Sequence, residues 1–359
     1  MQTALFVVTV IIVLSTFLPV WQHSHWLIRA LDFPRFQIAV LASILFVIQC
    51  LVFQWDDRLS LVGLALTGLC VLWQLWWILP YTRLWPQEVK TASIKDENRT
   101  LTFLTSNVLA TNKNSDALIE LVKQHRPDVL VTLESNHWWQ SQLRSLEQDM
   151  PFTMKCPLEN LYGMHVYSRY PLTDKRIAFL VEDDVPSMHA NLTLESGDVV
   201  RVHFVHPAPP SPTENTHSSE RDAELSVLAR QVSDETGPII VTGDLNDVAW
   251  SATTRLFRKV SGLLDPRVGR GMFNTFHAGY PFLRWPLDHV FHSSDFTLGF
   301  IKRMPSIGSD HFPLLTQLIY RPNNGLGQDG LDHNPADQER AKQLANNQGV
   351  DKSEVPASS

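Results

Sequence analysis

Pro238–Asp247, PIIVTGDLND, sets a short apolar run against a polar end. Ile239–Val241 is bounded by Thr242-Gly243 and reads as a buried strand. Past it, Gly243 permits a tight turn, so Asp244 and Asn246 can point outward together. A carboxylate and an amide at the mouth of a buried sheet suit a divalent metal, a water or a phosphate. Alone, the stretch reads more readily as an Asx turn closing a strand. The rest of the chain decides.

Working outward, other strands end the same way. Thr100–Val108 alternates and ends at Asn107; Ser115 caps a following helix that stops before Pro127. Asp128–Glu134, DVLVTLE, is a second buried strand closing on Glu134. Trp138–Glu147 reads as a helix and Tyr162–Leu172 as a strand and turn, with Arg169 either on the surface or near a substrate phosphate. Val199–His206 alternates, then breaks into PAPPSP, which cannot continue a ladder, so His206 also stands at a strand end. Ser219–Asp222 has capping-box spacing ahead of a helix, and Ser251–Val260 is a helix stopped by Gly262. Pro286–Phe291 carries Asp288 and His289, and Gly308–Leu315 places Asp310-His311 directly before an apolar strand.

The first 80 residues differ in kind. Their only charged groups are Arg29, Asp32, Arg35, Asp56, Asp57 and Arg58. Thr3–Trp21, Phe36–Trp55 and Leu59–Leu79 run 19, 20 and 21 residues without a charge, each long enough to cross about 30 Å of hydrocarbon as a helix. Tryptophans cluster near the segment ends, as an interfacial belt would place them. No basic stretch or small-x-small site marks the first segment as a cleaved signal. Residues 1–80 are thus expected to form a three-helix membrane anchor, 81–98 a juxtamembrane linker, 99–321 a catalytic domain and the polar 322–359 a disordered tail. Lys and Arg favour the side of Arg29, Arg35, Arg83, Lys90 and Lys95 over that of Arg58. That predicts a multi-pass inner-membrane protein with its large domain in the cytoplasm.

Three cysteines make no disulfide framework, and a net charge of −7 gives no global sign of a nucleic-acid binder. Alternating strands and helices imply an α/β domain whose ligands bind at strand ends. Oxygen-rich ends without cysteine suit Mg²⁺ or Mn²⁺ rather than structural zinc. Acids, amides and two histidines together suit phosphate-ester hydrolysis: a metal offsets charge, an Asp activates water and a charged His neutralises the transition state.

The ordered set TSNV at Asn107, VTLE at Glu134, YGMHVYSRYP at 162–171, VHPAPP at His206, GDLN at 243–246, LDHVF at Asp288 and SDHFPL at 309–314 resembles the endonuclease/exonuclease/phosphatase superfamily. The resemblance covers about Thr100–Tyr320 and implies a four-layer α/β sandwich of two packed mixed sheets. It also implies roles. Glu134 would be the principal metal ligand beside Asn107, with Asp310 a second ligand or a network residue. Asp244 would orient or deprotonate water, and Asn246 would bind the scissile phosphate. His311 would stabilise phosphate charge, Asp288 would orient a histidine and His206 would stand near the leaving oxygen as a general acid. Two substrate readings remain, a nuclease-type phosphodiester or a lipid-headgroup or inositol phosphate, with a non-enzymatic scaffold more distant. Over 95–321, 22 basic and 27 acidic residues leave about −5 and no basic run for tracking a phosphate backbone. No protein partner is expected.

Overall fold

The structure, a computed structural model, describes residues 1–93, 96–321 and 327–357. The apolar N-terminal third folds into α1 (Gln2–Phe17), the short α2 (Trp26–Arg29), α3 (Arg35–Leu51) and α4 (Arg58–Ile78). The α/β part begins with β1 (Thr100–Asn107), α5 (Ser115–His125), β2 (Val129–Leu133), α6 (His137–Gln142), β3 (Phe152–Cys156) and β4 (Met164–Ser168). It continues through β5 (Leu172–Ala178), β6 (Ser187–Thr193), β7 (Val199–Val205), α7 (Ser219–Asp234), β8 (Ile239–Asp244) and α8 (Ala252–Ser261). The last elements are β9 (Asp288–His292), β10 (Phe296–Arg303), β11 (Leu314–Tyr320) and α9 (Pro335–Asn347).

Two mixed sheets result, ordered β10-β11-β1-β2-β4-β3 and β5-β6-β7-β8-β9. Period-two alternation sends Leu101 and Phe103 of β1 inward, where they meet Val202 and Phe204 of β7 in one core between the sheets. Leu104, on the opposite face of β1, packs with Leu118 and Val122 of α5. Leu225 and Leu228 of α7 and Phe257 of α8 cover the outside of the other sheet. This is the expected four-layer sandwich. Ser251 caps α8 by accepting from Thr254 N, and Gly262 closes it at φ 71°. The cap of α7 is Ser218, one residue earlier than the capping-box spacing implied, and its hydroxyl donates to Asp222 rather than to the backbone. The helix at 138–147 also starts one residue earlier, at His137, and tightens into a 3₁₀ turn over Leu143–Gln148.

Gln2–Trp21 and Arg58–Tyr81 are long and apolar enough to cross a membrane; Trp26–Asp32 and Arg35–Leu51 form a pair bent by 68° that makes a third span only when counted together. The α1–α3–α4 bundle buries a polar network beside a small apolar cluster of Ile12, Ile38, Ala42 and Leu45, and its outer surface is apolar. Gln49 donates to Thr9, Thr9 meets Thr67 at 3.3 Å, Gln74 donates to Thr16 and Arg35 donates to Gln74. Val7, Ile11, Leu14, Leu41, Ile44, Leu61 and Leu72 face outward. That inversion suits lipid and is costly in water. These contacts also run α1 parallel to α4 and antiparallel to α3, so the domain side holds the ends of α1 and α4 and the start of α3.

Two expectations are corrected. The segment after α4 is a packed strap: Tyr81 donates to Ala249 O, Val89 is wholly buried, and Glu88 pairs with Arg258. Lys95 lies outside the described residues. The tail is not structureless either, its first residues 322–326 lying outside the described set. Asn334 and Asp337 form a capping box with Pro335 in the first turn, and Ala341, Ala345, Val350 and Val355 pack into the cluster containing α7. Two small residues four apart allow close helix contact without the large apolar side chains that betray a helix in sequence.

Gly243 sits at φ 153° on β8, where an added Cβ would lie 1.8 Å from the Val205 carbonyl oxygen of β7. A Gly243→Ala variant is therefore expected to lose at least about 2 kcal/mol of stability. A thermal melt of the detergent-solubilised chain checks this; an unchanged midpoint would refute the close-approach argument.

Candidate active site

Parallel pairing puts the C-terminal ends of β1 and β2 together, and likewise those of β7 and β8. Strands β9 and β11 run antiparallel to β8 and β1, so their first residues reach the same end. This delivers Asn107, Glu134, His206, Asp244, Asn246, Asp288, Asp310 and His311 to one place.

Asp244 and Asp288 are direct cross-strand partners, both almost wholly buried. Like charges so placed repel. His311 resolves this by standing between them, with Nδ1 2.8 Å from Asp288 and Nε2 3.4 Å from Asp244. Burial opposes its charge, but Asp244, Asp288 and Asp310 outweigh burial and push its pKa up to about 10. His311 is thus an imidazolium at neutral pH. Burial pushes the Asp244 carboxyl upward while His311 pulls it back.

Asn107 continues the network by donating at 2.7 Å to Glu134 and at 3.3 Å to Asp244, while its carbonyl accepts from Leu109 N. Glu134 occupies φ 55°, a strained conformation for a residue with a Cβ. Its Oε2 is buried with no partner, and burial raises its pKa to about 7. Asn246, at φ 51°, donates its backbone N–H to Asp244 and its side-chain amide to Pro207 O. Arg221 of α7 holds the Asn246 carbonyl at 2.8 Å.

His206 is buried and its Nδ1 has no partner; burial lowers its pKa to about 4. It is therefore a neutral imidazole, offering a hydrogen bond rather than the charge of a strong acid. Asp310 is partly exposed at the cavity wall. Arg169 does not join the group. It follows β4, which runs antiparallel to β2, so it lies at the opposite end of the sheet and donates to Pro127 O. His289 and Asp247 are framework: His289 contacts Arg267 and the Asp247 carbonyl, and Asp247 takes hydrogen bonds from Ser251 and Val248 N.

The site opens into a cavity of about 240 Å³. Residues without a signal of their own in the sequence also shape it. Tyr162 lies against the His206 ring and donates to Glu214; Phe276 packs on His311 with ring centroids 4.9 Å apart. Ser309 ties the two sequence motifs together, donating to Asn107 O and accepting from His311 N. Phe33, from the turn before α3, lines the same cavity.

Two places could take a divalent cation. Asp244, Asp288 and His311 bring ligand atoms within 4.8 Å of one another. Both nitrogens of that imidazole, however, already face carboxylates, and an imidazolium has no lone pair to give. The unpartnered Glu134 Oε2, a hard oxygen lacking a counter-charge, fits a cation better.

No curated protein sequence matches the chain. Among solved structures, the human Nocturnin catalytic domain with bound sulfate anion aligns at a TM-score of 0.51 and 17% identity, covering 63% of this chain and 96% of that one. D. rerio TDP2 complexed with single strand DNA product aligns at 0.50 and 16%, covering 61% and 98%. These likenesses establish the fold. The Endonuclease/Exonuclease/phosphatase family model matches residues 104–311, more than half of the sequence, and its span contains every residue gathered at the strand ends. The chain belongs to the endonuclease/exonuclease/phosphatase family, whose members are metal-dependent phosphoric ester hydrolases.

Proposed function

We propose that the chain is a membrane-anchored, Mg²⁺- or Mn²⁺-dependent phosphohydrolase that cleaves a phosphate ester by attack of water. The observation that carries this is the unbroken chain Glu134–Asn107–Asp244–His311–Asp288 beside the cavity. Glu134 would be the main metal ligand, with Asn107 and Asp310 alongside; when bound, the ion offsets charge on the phosphate oxygens. Asp244 orients and deprotonates the attacking water. His311 donates to a phosphate oxygen and neutralises developing charge, held in place by Asp288. Asn246 keeps a second amide N–H free for the scissile phosphate, and neutral His206 hydrogen-bonds near the leaving oxygen.

Glu134→Gln or EDTA should abolish turnover of a soluble phosphodiester, and Asp244→Ala or His311→Ala should lower kcat by at least about 10²-fold with the circular dichroism unchanged. Asp288→Asn removes one carboxylate that keeps His311 protonated. The alkaline limb of its kcat profile should therefore move down by at least about one pH unit. Activity that survives both EDTA and Glu134→Gln would sink the metal assignment.

The inside-out bundle supports an integral membrane anchor, with α3 as a short, bent span. Arg29, Arg35, Arg83 and Lys90 on the domain side against Arg58 support a cytoplasmic domain. A C-terminal reporter active only outside the cytoplasm would overturn that orientation.

Between the two substrate readings, the lipid-headgroup one gains from a specific feature. Phe33 meets Trp285 edge to face, Trp285 stacks on Phe276 and Phe276 lies tilted against His311, a continuous aromatic wall from anchor to site. Beside it, Tyr280, Phe282 and Leu283 are exposed, and Gln37 of α3 holds the Phe282 carbonyl. A site whose apolar rim lies against the first turn of α3 is placed to meet a bilayer-borne phosphate ester. Phe282→Asp should then reduce kcat/KM on vesicle-borne phospholipid at least about tenfold, about 1.4 kcal/mol, and leave a soluble phosphodiester nearly unaffected. Robust cleavage of single-stranded DNA with no turnover of vesicles would favour the nuclease reading instead.

A further inference from the structure

A second cavity, of about 270 Å³, lies at the seam between the anchor and the α/β domain, on the far side of α7's N-terminus from the catalytic cleft. Gln22 and Arg29 line it from the α1–α3 connection and Trp77 from the last turn of α4. Arg255 and Lys259 come from α8, and Asp337, Arg340 and Leu344 from α9. Two carboxylates face four cations, and both carboxylates are already engaged. Asp222 accepts from Arg29, Arg221, Ser218 and Thr253; the Asp337 carboxylate accepts from Lys259 and from the backbone N–H of Asn334, the cap of α9.

Arg255 and Arg340 are left over. Among the described residues neither guanidinium meets a carboxylate. Arg255 is half-buried, its guanidinium 5.1 Å from the centroid of Trp77, and burial lowers its pKa from the usual arginine range. Around them, Arg29 Nε and Trp77 Nε1 are buried donors with no acceptor. A cavity with two guanidinium groups that meet no carboxylate and two orphan buried donors calls for an anion. Its position narrows which one. Trp77 and Gln22 mark the domain-side ends of the apolar helices, the level at which headgroups would sit.

We propose that this seam is a binding site for a phosphate group, gripped by Arg255 and Arg340 and supplied by an anionic phospholipid headgroup or by free phosphate. Guanidinium forks match phosphate oxygens in pairs, which a lysine ammonium does not. Because Arg340 lies on α9 and Trp77 on α4, a phosphate held there clamps the C-terminal helix to the membrane end of the molecule. The site is separate from the catalytic cavity and does not depend on what that cavity hydrolyses.

The test uses the full chain in neutral detergent with EDTA present, so that metal-assisted phosphate binding at the catalytic site is suppressed. Dissociation constants are measured for inorganic phosphate, dioctanoyl phosphatidylglycerol and, as the zwitterionic comparison, dioctanoyl phosphatidylcholine. The wild type should bind phosphatidylglycerol, and Arg255→Gln/Arg340→Gln should weaken it at least about tenfold. Arg340→Gln alone, an exposed change on α9, should weaken it severalfold and guards against a folding defect at Arg255. Parallel loss of inorganic phosphate identifies the bare anion as ligand; loss confined to phosphatidylglycerol identifies the lipid headgroup. Either result supports the site. Absence of binding by the wild type to both anions, or equal binding by wild type and variants, overturns it. Metal-dependent turnover of a soluble phosphodiester should be the same in all three proteins, so a failed hydrolase assignment remains distinguishable from a failed anion site.

Discussion

The imidazolium of His311 between Asp244 and Asp288 is the interaction on which the catalytic end of the fold depends. Antiparallel register forces these two aspartates to face each other in a buried environment. Without a cation between them, two desolvated carboxylates would repel at a cost of several kcal/mol, or one would take up a proton. His311 supplies that cation at a fixed position, because Ser309 holds its backbone and Phe276 covers its ring. The same residue that lets the two strands pair also draws the Asp244 carboxyl back against the upward push of burial. Fold and chemistry share one group.

Much of this was legible because it lies at strand ends. Buried strands are near-continuous apolar runs, so the polar residue terminating each one stands out, as Glu134 does after VLVTL and Asp244 after IIVTG. Strand direction was not legible in the same way. Arg169 follows a strand as His206 does, yet β4 runs opposite to β2 and carries it to the far edge. Pairing partners are set by contacts distant in sequence, and no local pattern encodes them. Tyr162 and Phe276 were invisible for a related reason: an aromatic residue in a loop shows its role only when another chain segment brings a histidine against it. The C-terminal helix escaped because Ala341 and Ala345 bury little area each, and its stability comes from contact with α7 rather than from its own hydrophobicity.

The N-terminal helical bundle is likewise more than an appendage. In a soluble protein, threonines and glutamines lining a bundle while leucines and isoleucines face out would be an inversion without compensation. In hydrocarbon the same pattern pairs Thr9, Thr16, Gln49, Thr67 and Gln74 with one another and exposes what lipid tolerates. The strap after α4 then enters the domain without slack, through Tyr81 on Ala249, Val89 in the central core and Glu88 on Arg258.

That rigidity reaches the catalytic loop through polar contacts. Arg29, in α2 of the N-terminal bundle, pairs with Asp222 of α7; Asp222 pairs with Arg221; and Arg221 fixes the carbonyl of Asn246 in its left-handed conformation. Each link is a charged group almost fully buried, so removing one leaves its neighbour uncompensated rather than merely less well held. The GDLND turn is thus positioned from two sides, by the β8–β9 ladder and by a relay of charges that begins in the N-terminal bundle. A turn that needs positive φ at Asn246 and close approach at Gly243 holds its shape only because both supports agree. Cutting the α/β domain away from the N-terminal bundle would leave Asp222 without Arg29. The geometry around Asn246 is therefore a property of both parts of the chain together.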